Sequence, residues 1–292
     1  MSWKFNPFLE HYNATIRVVQ EKLLQNHHYP GSDMIVMTLN DGELDLFLNY
    51  ACSCVFHNIS LERVIVFSGS PEVIKIIEST GALGVYNPGF SEVSRDHSLD
   101  YIDYIFVDMM WFKAMSLYVM IHLGYNVLFQ DVDWVMFKDP MPLVYSKIEA
   151  FKQNHPRGEI PDIVFSDDGN PSLRYSPFFA NSGFYYVHAN PKTEQLAWSI
   201  MESFDYIQRL GSHQNVLTMR MMELTDLVGL TSKIIPLDEL PNGILYHHDR
   251  AFMNRMFQRE ISPYGFHMCW TKGKPEKLVS SFGLLYRRVE HL

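Results

Sequence analysis

Gly124-Tyr125-Asn126-Val127-Leu128-Phe129-Gln130-Asp131-Val132-Asp133-Trp134 joins a short apolar strand to a pair of carboxylates. Val127, Leu128 and Phe129 are apolar on both faces, as the central strands of a parallel sheet are. Asp131 and Asp133 follow where that strand should end, and in open α/β sheets ligands bind at the carboxyl ends of the strands. Two carboxylates held there repel each other unless a cation lies between them. Oxygen ligands favour Mg²⁺ or Mn²⁺, which keep positions open for water and phosphate oxygens. The spacing alone carries little, because an acidic chain yields an Asp-x-Asp by chance. Its place after a buried strand, beside Trp134 and Phe137, separates it from a solvated turn, where Gly, Asn or Ser is commoner.

Outward from this stretch, strand and helix patterns alternate. An amphipathic helix spans about Thr15 to Gln25. Met34 to Leu39 is a strand, Glu43 to Val55 a helix, and Arg63 to Phe67 a strand, with a helix after Ser70-Pro71 as far as Gly81. Ile105-Phe106-Val107 reads as a strand and Phe112 to His122 as a helix, closed at Leu123-Gly124 where glycine suits the cap. Asp162 to Phe165 and Phe184 to His188 are further strands, and a helix runs from about Thr193 to Arg209. Past Pro236 the pattern loosens into loops. Such alternation is the signature of an α/β protein with a doubly wound, mostly parallel sheet. No Gly/Ser-rich linker divides it, so one domain over 33–280 is expected, with a helical extension over 1–32 and a tail over 281–292.

The 292 residues, 47% of them hydrophobic and 14% aromatic, suffice for a large core and exclude a disordered chain. A net charge of −9 argues against a broad nucleic-acid interface. Cys52, Cys54 and Cys269 have neither a disulfide framework nor zinc spacing, and buried free thiols are expected. The sequence shows no apolar run of membrane-spanning length, and its first residues do not read as a signal peptide. Sequons stand at Asn13 and Asn58, and the compartment, Golgi lumen or cytoplasm, stays open.

Three more segments carry chemistry. Pro177-Phe178-Phe179-Ala180-Asn181-Ser182-Gly183-Phe184-Tyr185-Tyr186 brings amide and hydroxyl groups to a glycine that permits close approach of a ligand, or makes a turn before an edge strand. Gly211-Ser212-His213-Gln214-Asn215 begins a helix. Phe266-His267-Met268-Cys269-Trp270-Thr271-Lys272-Gly273-Lys274-Pro275-Glu276-Lys277 sets an imidazole and several lysines around a glycine, a combination that serves a metal and phosphates together.

The order Gly-Tyr-x-Val-Leu-Phe-x-Asp-x-Asp, Asn-Ser-Gly-Phe-Tyr-Tyr-Val, Gln, then His-x-x-Trp-x-x-Gly-Lys resembles the nucleotide-diphospho-sugar transferases. It is most similar to the retaining group that includes plant cell-wall xylosyl- and arabinosyltransferases and a cytosolic galactosyltransferase domain. The likeness runs from about Met34 to Lys277 and is most specific from the metal stretch through Asp139-Pro140. It implies a GT-A fold and transfer of a sugar from a nucleotide-sugar donor, a UDP-sugar by family expectation, to a glycan or glycoprotein acceptor. It further implies that Asp131, Asp133 and His267 hold Mn²⁺ or Mg²⁺. Lys274 and Lys277, with Gly273, would meet the diphosphate, and Lys113 matches a donor-binding lysine in the helix before the metal strand. Thr38 and Asn40 would open the nucleotide pocket, and Val132 would line the donor beside the acids. Asn181, Ser182 and Gly183 would form the sugar- and acceptor-side loop, and Gln214 would lie near the reacting carbon. His213 stands where the pattern more often has Asp, a departure that bears on donor preference. Trp134, Tyr175, Phe178 and Phe179 are candidates to stack on acceptor sugars.

Two other readings fit the same residues. Asp131-Val132-Asp133-Trp134-Val135 also fits the start of an aspartyl-phosphate phosphatase, with Asp167 and Asp168 as its later acids. The chain is also consistent with a sugar-nucleotide or glycan-binding module that has lost turnover.

Overall fold

Strands whose successive side chains are all apolar can be buried on both faces, and the central strands here distribute their residues between two cores by simple alternation. In a computed structural model, which describes residues 5–90, 93–96, 98, 103–155, 157–169, 179–271, 273 and 275–280, Met34 and Val36 face one core while Ile35, Met37 and Leu39 face the other. Val127 and Phe129 divide from Leu128 in the same way, as do Tyr185 and Val187 from Phe184 and Tyr186.

The chain begins with α1 (Phe5–Glu10) and α2 (Tyr12–Gln25), then β1 (Asp33–Leu39), α3 (Leu44–Phe56), β2 (Val64–Ser68), α4 (Ile74–Ser79) and β3 (Leu83–Val85). The middle holds α5 (Tyr104–His122), β4 (Asn126–Gln130), β5 (Trp134–Met136), α6 (Met141–Gln153), β6 (Ile163–Asp167) and β7 (Ala180–Val187). Then come α7 (Pro191–Glu202), α8 (Phe204–Leu210), α9 (His213–Val228), β8 (Ser232–Ile235), α10 (Gly243–His248), α11 (Arg250–Phe257) and β9 (Gly265–His267). Seven strands form one sheet in the order β3-β2-β1-β4-β7-β6-β8. All neighbours in it are parallel except β7, which runs antiparallel to both β4 and β6. This is the expected α/β architecture with a mostly parallel sheet. α1, α2, α5, α7 and α9 cover one face of the sheet, and α3, α4 and α6 the other.

The structure corrects the sequence reading in three places. Ile105-Phe106-Val107 is not a strand but the first turn of α5, started by Asp103, whose side chain accepts from the Phe106 amide at 2.8 Å. That helix is apolar nearly all round, so it lacks the amphipathic period, and its first residues cannot be told from a buried strand. By length and composition it could cross a membrane, against the expectation that no apolar run is long enough, yet 78% of its apolar window is buried inside this domain. The helix expected over Thr193 to Arg209 is two, α7 and α8, broken at Ser203, whose hydroxyl bonds the Ser199 carbonyl at 2.5 Å. Beyond Pro236 the loop-rich stretch also holds the short elements α10, α11 and β9. β9 pairs with β5, and Val135, Phe137, Phe252, Met253, Met256, Phe266 and Met268 pack into a small core of their own.

Candidate metal and donor site

β4 ends at Gln130, and the chain turns through Asp131 and Asp133 directly into β5, so both acids stand at the carboxyl rim of the sheet. β5 then fixes a residue from far along the chain. In its antiparallel pairing with β9, Trp134 lies opposite His267, and the Met268 amide donates to the Asp133 carbonyl at 2.9 Å. The His267 ring stacks on the buried Trp134 indole at 4.7 Å between centroids. Its Nε2 lies 3.0 Å from Asp133 Oδ1 and 3.8 Å from Asp131 Oδ2. One ligand atom from each of Asp131, Asp133 and His267 falls within 4.8 Å of the other two.

β7 closes the other side. The Asp131 amide donates to the Gly183 carbonyl at 3.0 Å, and the Trp134 indole N–H donates to the same oxygen at 2.9 Å. A Cβ on Gly183 would lie 2.4 Å from His267 Cε1 and 2.7 Å from Asp131 Oδ2. Glycine there leaves the acids and the imidazole room to converge. Asn181, Ser182 and Gly183 thus sit inside a fully buried central strand and are not a turn before an edge strand.

Two ammonium groups complete the charge balance. Lys113, from the middle of the buried α5, reaches Asp131 Oδ1 at 2.5 Å, and Lys277 reaches Asp133 Oδ2 at 2.6 Å. Burial works against an ionised Asp133, but Lys277 and His267 outweigh it and hold its carboxyl well below the usual range. For His267, burial opposes the imidazolium, while Cys269 and Asp133 overcome it and push its pKa well above the ordinary value. Carboxylate oxygens with one imidazole nitrogen suit Mn²⁺ or Mg²⁺, and the convergence of these atoms beside a residue without a side chain fits a small cation.

The remaining candidates are placed variously. Ser182 donates to Gln214 Oε1 through its amide at 2.9 Å and its hydroxyl at 3.2 Å, so β7 and the first turn of α9 are joined at the site. The Asn181 side-chain carbonyl accepts from the Gly183 amide at 2.8 Å, and its amide donates to Asp168 at 2.8 Å. His213 is buried, with Nδ1 3.1 Å from Met110 Sδ and no hydrogen-bond partner for Nε2. Burial, with Lys113 nearby, drives its pKa well down, so this ring is neutral. Thr38 is buried at the end of β1 with its hydroxyl unpartnered. The Asn40 amide is spent on the Ser94 and Asp96 carbonyls at 2.9 and 2.7 Å, while its oxygen caps the turn at Glu43. Val132 faces the core. Gly273 has φ +71°, and its carbonyl accepts from the Lys277 amide. Lys274, Tyr175 and Phe178 lie outside the described residues. Trp134 is 1% exposed and under His267, so it has no face to offer an acceptor sugar.

Asp168 entered the sequence reading only as a phosphatase acid. It is buried at the end of β6, bonded to Asn181, and its pKa is raised by burial against the pull of that amide. The signal was present: Asp168 follows the apolar run 163–165 much as Asp131 follows 127–129. Asn242, whose amide donates to the Asp168 carbonyl at 3.0 Å and which bridges His267, gave no such signal.

A model of the nucleotide-diphospho-sugar transferase family matches residues 92–279, which include all of these acids, His267 and Lys277. The chain belongs to that family. The transferase is similar in structure to the apo form of mouse xyloside xylosyltransferase 1, with 12% identity, a TM-score of 0.42, and coverage of 83% of this chain and 100% of that one. It is also similar to the apo bifunctional glycosyltransferase WbbM, with 10% identity, a TM-score of 0.50, and coverage of 88% of this chain. It covers 52% of the WbbM chain, and the likeness is one of fold. No curated protein sequence matches it. Family membership makes the chain a glycosyltransferase that uses a nucleotide-diphosphate sugar, and the phosphatase reading falls away.

Proposed function

We propose that this transferase is a metal-dependent retaining enzyme that moves a sugar from a UDP-sugar to a glycan or glycoprotein acceptor. The observation that carries the proposal is the convergence of Asp131, Asp133 and His267 with Lys113 and Lys277 around them. Breaking the bond between the sugar's anomeric carbon and the diphosphate leaves negative charge on the leaving group. A divalent ion held by the two acids and His267 supplies stabilisation for that charge. Lys113 and Lys277 bring further positive charge to the same place, each exchanging a carboxylate for a phosphate oxygen.

On the sugar side, we assign Asn181, Ser182, Gln214 and the neutral His213 to the donor's ring hydroxyls; Asn181 is held by Asp168 and His213 is buried, so both are uncovered only as the sugar binds. In a same-face transfer the new bond forms between the anomeric carbon and the acceptor oxygen, and the acceptor proton passes to the departing phosphate oxygen. Gln214 Oε1 is already engaged by Ser182, so its use as a stabiliser of the sugar cation requires that contact to loosen. Incubation with Mn²⁺ and a panel of nucleotide sugars tests the proposal. We expect slow release of UDP from one donor, abolished by chelation, and a product anomer identical to the donor's by NMR. Metal-independent release, or inversion, contradicts it.

A further inference from the structure

Among the described tryptophans, Trp111 and Trp134 are buried and Trp198 packs against Phe5 and Tyr118, while Trp270 is 51% exposed. Its backbone is left-handed at φ +63°, a conformation bulky side chains rarely adopt and one that persists only where the surroundings enforce it. The start of α10 lies directly under this turn: a Cβ on Gly243 would be 1.8 Å from the Cys269 carbonyl oxygen and 3.1 Å from Trp270 Cβ. The segment is tied to the transfer site, because the Cys269 sulfur lies 3.8 Å from the Asn181 amide nitrogen and His267 is three residues upstream. Thr271, the next residue, lines a cavity of about 360 Å³ together with His247, Pro275, Glu276, Val279 and Ser280. Its volume is in the range of small-molecule sites, and its surface is almost wholly apolar. His247 Nε2 and the Thr271 hydroxyl are 3.1 Å apart and so satisfy each other in its wall.

An exposed indole three residues beyond His267, followed in the chain by an apolar hollow, matches the C–H face of a sugar ring, which stacks on aromatic and apolar surface. We propose that Trp270, with the apolar hollow that begins at Thr271, forms the acceptor subsite, the acceptor's sugar stacking its C–H face on the indole. The inference rests on the transferase reading above and adds the place where the acceptor binds.

The test applies the full chain, loaded with Mn²⁺ and UDP, to an array of defined oligosaccharides. The wild-type chain should retain a discrete set of glycans. Trp270→Ala should lose them by about tenfold or more and Trp270→Phe by only about threefold, with UDP affinity within about twofold throughout. Trp270→Gly, which relieves the left-handed backbone and removes the ring, should behave like Trp270→Ala. Glycan retention by the Ala or Gly variant would overturn the proposal, as would a parallel loss of UDP affinity, or a wild-type chain that binds UDP and no glycan. Failure of the wild-type chain to bind UDP with Mn²⁺ would strike the donor site first and the acceptor proposal with it.

Discussion

Gly183 is the residue on which the geometry of the acids turns. Any side chain there overlaps His267 and Asp131, so Gly183→Ala should leave the fold intact by circular dichroism yet weaken Mn²⁺ binding by about tenfold or more in calorimetric titration. His213 yields a prediction of another kind. Its folded-state pKa lies well below the ordinary value near 6.5, so below that pH the unfolded chain takes a proton that the native chain refuses. Its contribution is harmless above pH 6.5 and costs stability as pH falls, at up to about 1.4 kcal/mol per pH unit. Urea denaturation between pH 7.5 and 5.5 should therefore show a shallower acid loss in His213→Leu than in the wild type, and equal slopes would contradict the buried neutral ring. At this scale the sequence was informative where chemistry is bound to a recognisable frame. Asp131 and Asp133 follow an unmistakable strand. Asp168 follows a similar one, but only its bond to Asn181, set by the β6–β7 pairing, assigns it to the same centre.

Among the elements, β9 is the least conspicuous and the most consequential. Three residues long, it carries no period a sequence can show, yet its register with β5 places His267 against Asp133. Gly243 guards that arrangement from α10. Gly243→Ala forces its methyl group into the Cys269 carbonyl, and we expect a loss of about 1–3 kcal/mol in chemical denaturation, together with weaker Mn²⁺ binding because β9 must shift. An unchanged midpoint would mean that the turn after β9 moves freely. The misreading of Ile105 to Val107 has a related cause: a helix buried on every side shows no polar face, and only the Asp103 cap announces it.

For the whole molecule, the alternation of strands and helices made the sheet legible, since each central strand divides its residues between two cores. The antiparallel β7 was not legible, because a strand's direction leaves no trace in its own residues. It matters, for β7 brings its opening residues, Asn181 to Gly183, to the rim where β4 ends. The site is thus assembled from α5, β4, β7, α9, β9 and the residues after it, and its ligands should tie these together on binding. Thermal unfolding with and without Mn²⁺ and UDP measures that directly. At concentrations near 100 Kd, binding to the native state alone adds about 2.7 kcal/mol, a rise of roughly 5 °C for a domain of this size. The wild-type chain should show its full rise only when both ligands are present, and Asp131→Asn and Asp133→Asn should show almost none. An equal rise in the variants, or no rise in the wild type, would contradict a metal-bridged diphosphate at Asp131 and Asp133.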